Sequence, residues 1–172
     1  EAALSAEHTG KYDFQSILTH EVGHAAGFLS LATQTGTFQV QSGNASAAYS
    51  TMLYTRYDSL LTNQEGQSIV NKAGNGNTAF TLGETLSLGD TGLTAYNPAT
   101  WQQGSSMAHI DSASDPDALM QYSISPDTYH RTLTDGEMEL MRSMGWKMVP
   151  EPGTSTLSLL GLAVLALRRR RC

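Results

Sequence analysis

The nine residues HEVGHAAGF, His20 to Phe28, constrain this chain more than any other stretch. Positions four apart on a helix return to nearly the same face, because each residue turns about 100°. His20 and His24 can therefore direct their imidazoles at one ion, and Glu21, beside the first, can reach a water on that ion. This is the HExxH arrangement, in which two histidines bind zinc and the glutamate serves as general base. The arrangement requires a helix, and its flanks agree. Asp13 is a candidate N-cap, and Phe14, Ile17, Leu18, Val22, Ala25 and Ala26 are spaced for a buried stripe. A helix is expected from Asp13 to about Leu29, with Gly27 able to take φ > 0 where the chain must turn.

Two histidines do not complete a site, and the chain offers few ways to complete it. Cys172 is the only cysteine, so an intrachain disulfide and a two- or four-cysteine zinc site are both excluded. Remaining donors are His8, His109, His130 and carboxylates. The compact pattern HExxHxxGxxH would place a third ligand at position 30, which is Ser30. His8 lies near the terminus and His130 in a Pro/Asp/Tyr loop, and neither is favoured as a ligand. Glu65 or Glu84 could complete a carboxylate version of the site in place of His109. Asp111, Asp115 and Asp117 could bind calcium, although solvated loop acids are the simpler reading. SSM, Ser105 to Met107, supplies no nucleophile, since neither serine has a visible base and orienting partner.

At 172 residues the chain suits one globular unit. The net charge of −6 hides an uneven distribution: six basic against fifteen acidic residues precede Pro150, a net of −9, and four arginines close the chain. An acidic body lacks the clustered Lys and Arg that a nucleic-acid surface needs, so no nucleic-acid partner is expected. The chain opens at Glu1 with about a dozen residues ahead of the metal-motif helix. Zinc proteases that carry this motif normally have a sheet ahead of the helix, so the resemblance to them implies that an N-terminal sheet is missing or truncated here.

From about Ser30 to Ser106 the chain is polar and rich in Gly, Asn, Thr and Ser, which predicts loops and short strands. TMLY and AFTLGETLSL are the candidate hairpin strands, and NKAGNGNT, Asn71 to Thr78, is the clearest turn or mobile tip. Near the end of the body, Thr134 and Glu137 form a capping box ahead of Met138, Leu140, Met141 and Met144. A short amphipathic helix should run to about Ser143, its methionines filling core gaps. Gly145 should end it, with Trp146 packing back.

Three stretches, HEVGHAAGF, GSSMAHID and DALM, together with the closing GW, resemble the leishmanolysin-like metzincins. In that group a long insertion separates the HExxH helix from a third zinc histidine, and a methionine in a tight turn follows. Here His109 stands eleven residues before Met120. The resemblance covers Phe14 to Trp146, loosely in the middle. It implies an α+β, metzincin-like zincin domain over residues 1–148, with Zn2+ held by His20, His24 and His109, Glu21 as catalytic base, and Met120 as the floor of the Met-turn. Tyr122, two residues on, matches a tyrosine that some metzincins place near zinc in an auxiliary role. The implied activity is that of a zinc metalloendopeptidase acting on protein or peptide substrates. A non-catalytic zinc-containing surface or adhesion protein is the alternative.

The tail, residues 149–172, resembles a PEP-CTERM sorting signal. Pro150, Glu151 and Pro152 precede an apolar run from Leu157 to Leu167 and then Arg168 to Arg171. The run is shorter than the about 20 residues that span a bilayer, but a basic end suits a stop at the cytoplasmic face. The resemblance implies export in a Gram-negative-type bacterium, transient inner-membrane insertion through residues 154–167, and processing by an exosortase-type enzyme. The product would reside at the cell surface or outside, and Cys172 would have no role there.

Overall fold

Asp13 starts the first helix by accepting from the Ser16 amide at 2.9 Å and the Ser16 hydroxyl at 2.6 Å. It thereby occupies a donor that the first turn leaves free. The computed structural model describes residues 9–42, 50–73 and 78–147, and within them this helix, α1, runs Phe14–Ala25. It is four residues shorter than expected at its C-terminal end. Gly27 sits at φ 122°, a conformation other residues adopt only with strain, and the chain turns there.

The expected buried stripe is a second correction. Phe14 is 75% exposed, Val22 57% and Leu18 51%, whereas Ser16, His20 and Gly23 face inward. Apolar spacing marks a face without saying what lies against it, and here the inward face meets the segment Ser105 to Gln121. That segment offers the Leu119 carbonyl for the His20 ring N–H and a methionine that lies against Gly23. Among the described residues nothing covers the apolar face of α1.

Beyond α1 the chain is mostly irregular, with short ladders. Strand β1 (Val40–Ser42) pairs antiparallel with β2 (Ser50–Met52), Val40 opposite Met52. A 3-10 turn, Asp58–Leu60, leads into β3 (Leu61–Thr62), which pairs with β4 (Ser87–Leu88). Only the first two residues of TMLY and the last two of AFTLGETLSL are strand. A five-residue helix, α2 (Ile69–Ala73), was not expected, and it takes up the start of the supposed turn at Asn71; residues 74–77 lie outside the described residues. Asp58 holds this region to the end of α1, its buried carboxylate accepting from the Ser30 hydroxyl and from the amides of Leu31 at 3.0 Å and Thr55 at 2.8 Å.

One apolar cluster joins these pieces, with Phe28, Tyr57, Leu61, Leu88, Ile110 and Leu140 all fully buried in it. Helix α3 (Asp135–Ser143) closes the core, and its N-terminus carries the expected capping box of Thr134 and Glu137. Leu140, Met141 and Met144 are buried as the amphipathic pattern requires. Trp146 turns back on α3 through its backbone N–H, which donates to the Met141 carbonyl at 3.1 Å, and its half-exposed indole donates to the Ala26 carbonyl at 2.8 Å, linking the ends of α3 and α1.

Candidate metal centre

His20 and His24 lie one turn apart on α1, and His109 arrives from a segment 85 residues later. Ile110 bridges antiparallel to Ala95 on one side and parallel to Gln121 on the other. Its neighbours are bonded on both flanks: Tyr96 N–H to His109 O, and Ile110 N–H to Met120 O, both 2.8 Å. Met107, two residues before His109, is buried at φ 69°, a left-handed turn that brings the Ser105 carbonyl back toward the histidine ring.

The three rings converge. One nitrogen of each lies within 4.8 Å of the others, and His20 Nε2 is 3.2 Å from His109 Nε2. The His24 ring stands edge-on to both partners, at 87° to His20 and 86° to His109. Each Nδ1 has its own backbone carbonyl: Leu119 O for His20 at 2.9 Å, Phe28 O for His24 at 2.6 Å and Ser105 O for His109 at 2.8 Å. A carbonyl can only accept, so each Nδ1 carries the proton and each Nε2 presents a lone pair.

Two such lone pairs at 3.2 Å repel unless a cation lies between them. Tetrahedral zinc with Zn–N bonds of about 2.0–2.1 Å spaces its nitrogens by about 3.3 Å, a spacing that the His20–His109 pair matches at 3.2 Å, while the three nitrogens together lie within 4.8 Å, close enough to hold a metal ion. A proton is the poorer occupant. Burial is the main reason that the His109 pKa is pushed down to about 4; the Ser105 carbonyl and Glu21 act the other way, while His24 and His20 add to the fall. Glu21, next to His20 on α1, is exposed.

Met120 is fully buried beneath α1, its sulfur against Gly23. Tyr122 is 39% exposed and lies flat on Tyr96, ring centroids 3.8 Å apart and planes 5° from parallel. Glu65 and Glu84 are not in the three-histidine group; Glu84 accepts from the Thr81 amide at 2.9 Å. His130 Nδ1 bonds the Asp117 carbonyl, and His8 lies outside the described residues. Asp111 and Asp115 accept from the amides of Ala113 and Asp117 in their own loop. The Ser106 hydroxyl accepts from the Gln102 amide.

Sequence reasoning missed the three carbonyls and the part played by Gly23. Backbone carbonyls leave no side-chain signature. A glycine within a helix costs about 1 kcal/mol relative to alanine, and that cost was the available sign of close packing.

Residues 149–171 match the family described as the PEP-CTERM protein-sorting motif. The chain thus carries the signal of an exported, cell-envelope-associated protein sorted by an exosortase. No curated protein and no solved structure matches it. Among the described residues no helix is long and apolar enough to cross a membrane, and the tail lies outside them.

Proposed function

We propose that this exported chain is a zinc-dependent endopeptidase of metzincin type, with His20, His24 and His109 holding Zn2+ and Glu21 as general base. The observation that carries the reading is the shared tautomer of three buried or half-buried imidazoles, each with Nδ1–H on a backbone carbonyl and Nε2 turned to a common point. Fixing the far nitrogen orients the ring and raises its basicity, as ligand histidines require. Zinc bound there supplies a Lewis acid and a water of pKa about 7. Glu21 takes the proton of the attacking water and delivers it to the leaving amine. Met120 gives the site an apolar floor. Tyr122, stacked on Tyr96, is an auxiliary group beside the His109 segment.

The tail holds the protein in the inner membrane of a Gram-negative-type cell through residues 154–167 until an exosortase-type enzyme releases the body at the surface. The substrate is protein or peptide.

Metal content measured beside casein cleavage tests the reading. The wild-type chain should bind one zinc and cleave casein. Glu21→Gln should keep the metal and lose cleavage, because an amide cannot accept the proton at neutral pH, and His109→Ala should lose both. A zinc-loaded wild-type chain inert on every peptide would instead indicate a surface or adhesion protein.

A further inference from the structure

Glu137 is fully buried, yet among the described residues the ion pairs are Arg131 with Asp13 and Arg142 with Glu139, and neither involves Glu137. Its carboxylate is held by three backbone amides: Thr134 N–H at 2.8 Å and Leu119 N–H at 3.1 Å on Oε2, and Met120 N–H at 2.7 Å on Oε1. Only the first belongs to the capping box. The other two reach 17 and 18 residues back along the chain, to the turn beneath α1.

The Met120 N–H and the Leu119 carbonyl are two ends of one peptide group. That carbonyl accepts the Nδ1–H of His20 at 2.9 Å. A continuous line of hydrogen bonds therefore runs from the Glu137 carboxylate through the 119–120 peptide to the His20 imidazole, ending at Nε2. A carboxylate pulling on the N–H end of a peptide makes its carbonyl a stronger acceptor, and successive bonds polarise one another. Carboxylate partners act in this way when they bond a metal-binding histidine directly. Here a peptide is interposed.

We propose that Glu137 is a positioning residue for the metal centre, acting through the 119–120 peptide to fix the orientation and raise the basicity of His20. The proposal rests on the metal-site reading above. It gives the N3 residue of α3 a second role: the helix that closes the core also tunes a ligand on α1. Two demands on the turn are met at once, since the same amide bond that steers His20 holds Met120 under Gly23.

The test compares zinc affinity in full-length wild type, Glu137→Gln and Thr134→Ala, by competition with a chelating dye at pH 7. Gln presents one acceptor and an NH2 that cannot accept, so one of the two turn amides loses its partner and the polarising charge disappears. Zinc affinity should fall about 10- to 100-fold in Glu137→Gln. Thr134→Ala removes the cap but leaves both turn bonds, so it should lower melting temperature with affinity changed less than about threefold. The visible spectrum of the cobalt(II)-substituted protein should differ between Glu137→Gln and wild type and not between Thr134→Ala and wild type. A folded Glu137→Gln with wild-type zinc affinity and cobalt spectrum overturns the proposal while leaving the metal site standing. Wild type that binds no zinc overturns the metal-site reading itself. If Glu137→Gln does not fold, amide NMR of the wild type decides: zinc should move the Met120 N–H resonance, and an unmoved resonance beside a shifted His20 ring overturns the proposal.

Discussion

Gly23→Ala tests how closely α1 meets the turn below it, because two effects of opposite sign compete at that residue. In a helix interior alanine is favoured over glycine by about 0.8–1.0 kcal/mol, so propensity alone predicts a more stable protein. A Cβ at this position, however, would overlap the Met120 sulfur and come within 3.1 Å of its Cε. Met120 has little room to yield. It is fully buried, and its backbone is held on one side by Glu137 and on the other by Ile110 N–H. Overpacking of this kind costs about 1–3 kcal/mol, which leaves a net loss of up to about 2 kcal/mol. For a domain of this size that is a fall of up to about 4–8 °C in Tm. The assay is thermal unfolding by circular dichroism on the metal-free protein, in a double-mutant cycle with Met120→Ala. Truncating Met120 alone should cost about 2–5 kcal/mol by opening a cavity that the methyl introduced by Gly23→Ala then partly fills. The double variant should therefore be more stable than the sum of the single effects by at least about 1 kcal/mol. A Gly23→Ala protein that melts higher than wild type, with additive effects in the cycle, would refute the packing argument.

Two further outcomes follow from the ends of the body. Arg131 makes a bidentate pair with Asp13, 2.7 and 2.8 Å, and that guanidinium is the main reason the Asp13 carboxyl is held well below the usual carboxylate range. With the folded pKa depressed below the unfolded value of about 3.9, the stabilisation is complete above about pH 5 and is lost as pH falls below 4. Arg131→Ala should thus melt below wild type at pH 7 and approach it in urea titrations near pH 2. At the other end, stopping the chain after Met148 removes a Pro/Gly/Ser/Thr segment and the apolar run, which should leave the Tm of the body unchanged. In cells the full-length chain should appear first in the membrane fraction and later as a shorter surface or secreted form, whereas the truncated one should bypass the membrane stage.

What could be read from the amino-acid order alone was whatever is decided within a few residues. Asp13 as a cap, the one-turn spacing of His20 and His24, the Thr134–Glu137 box and the break at Gly27 depend on neighbours that touch through a single helical turn. The tail was legible for the same reason, being a linear signal of motif, apolar run and arginines. The inward face of α1 was not. Its apolar residues form a regular stripe, but periodicity is blind to direction, and the opposite face turns inward because the His20 Nδ1–H and Gly23 find their partners, the Leu119 carbonyl and the Met120 sulfur, almost 100 residues away. That His109 belongs with His20 and His24 was suggested by resemblance, not by spacing, since nothing local in AHID distinguishes a ligand from a buried loop histidine. Only the tertiary structure determined the tautomers, through the carbonyls of Phe28, Ser105 and Leu119, and only it brought the Glu137 carboxylate to the far side of the peptide that His20 touches. Side chains carry the pattern a reader can see in a sequence, whereas the backbone atoms that orient these rings are chemically the same at every position, and where they point is settled by the fold.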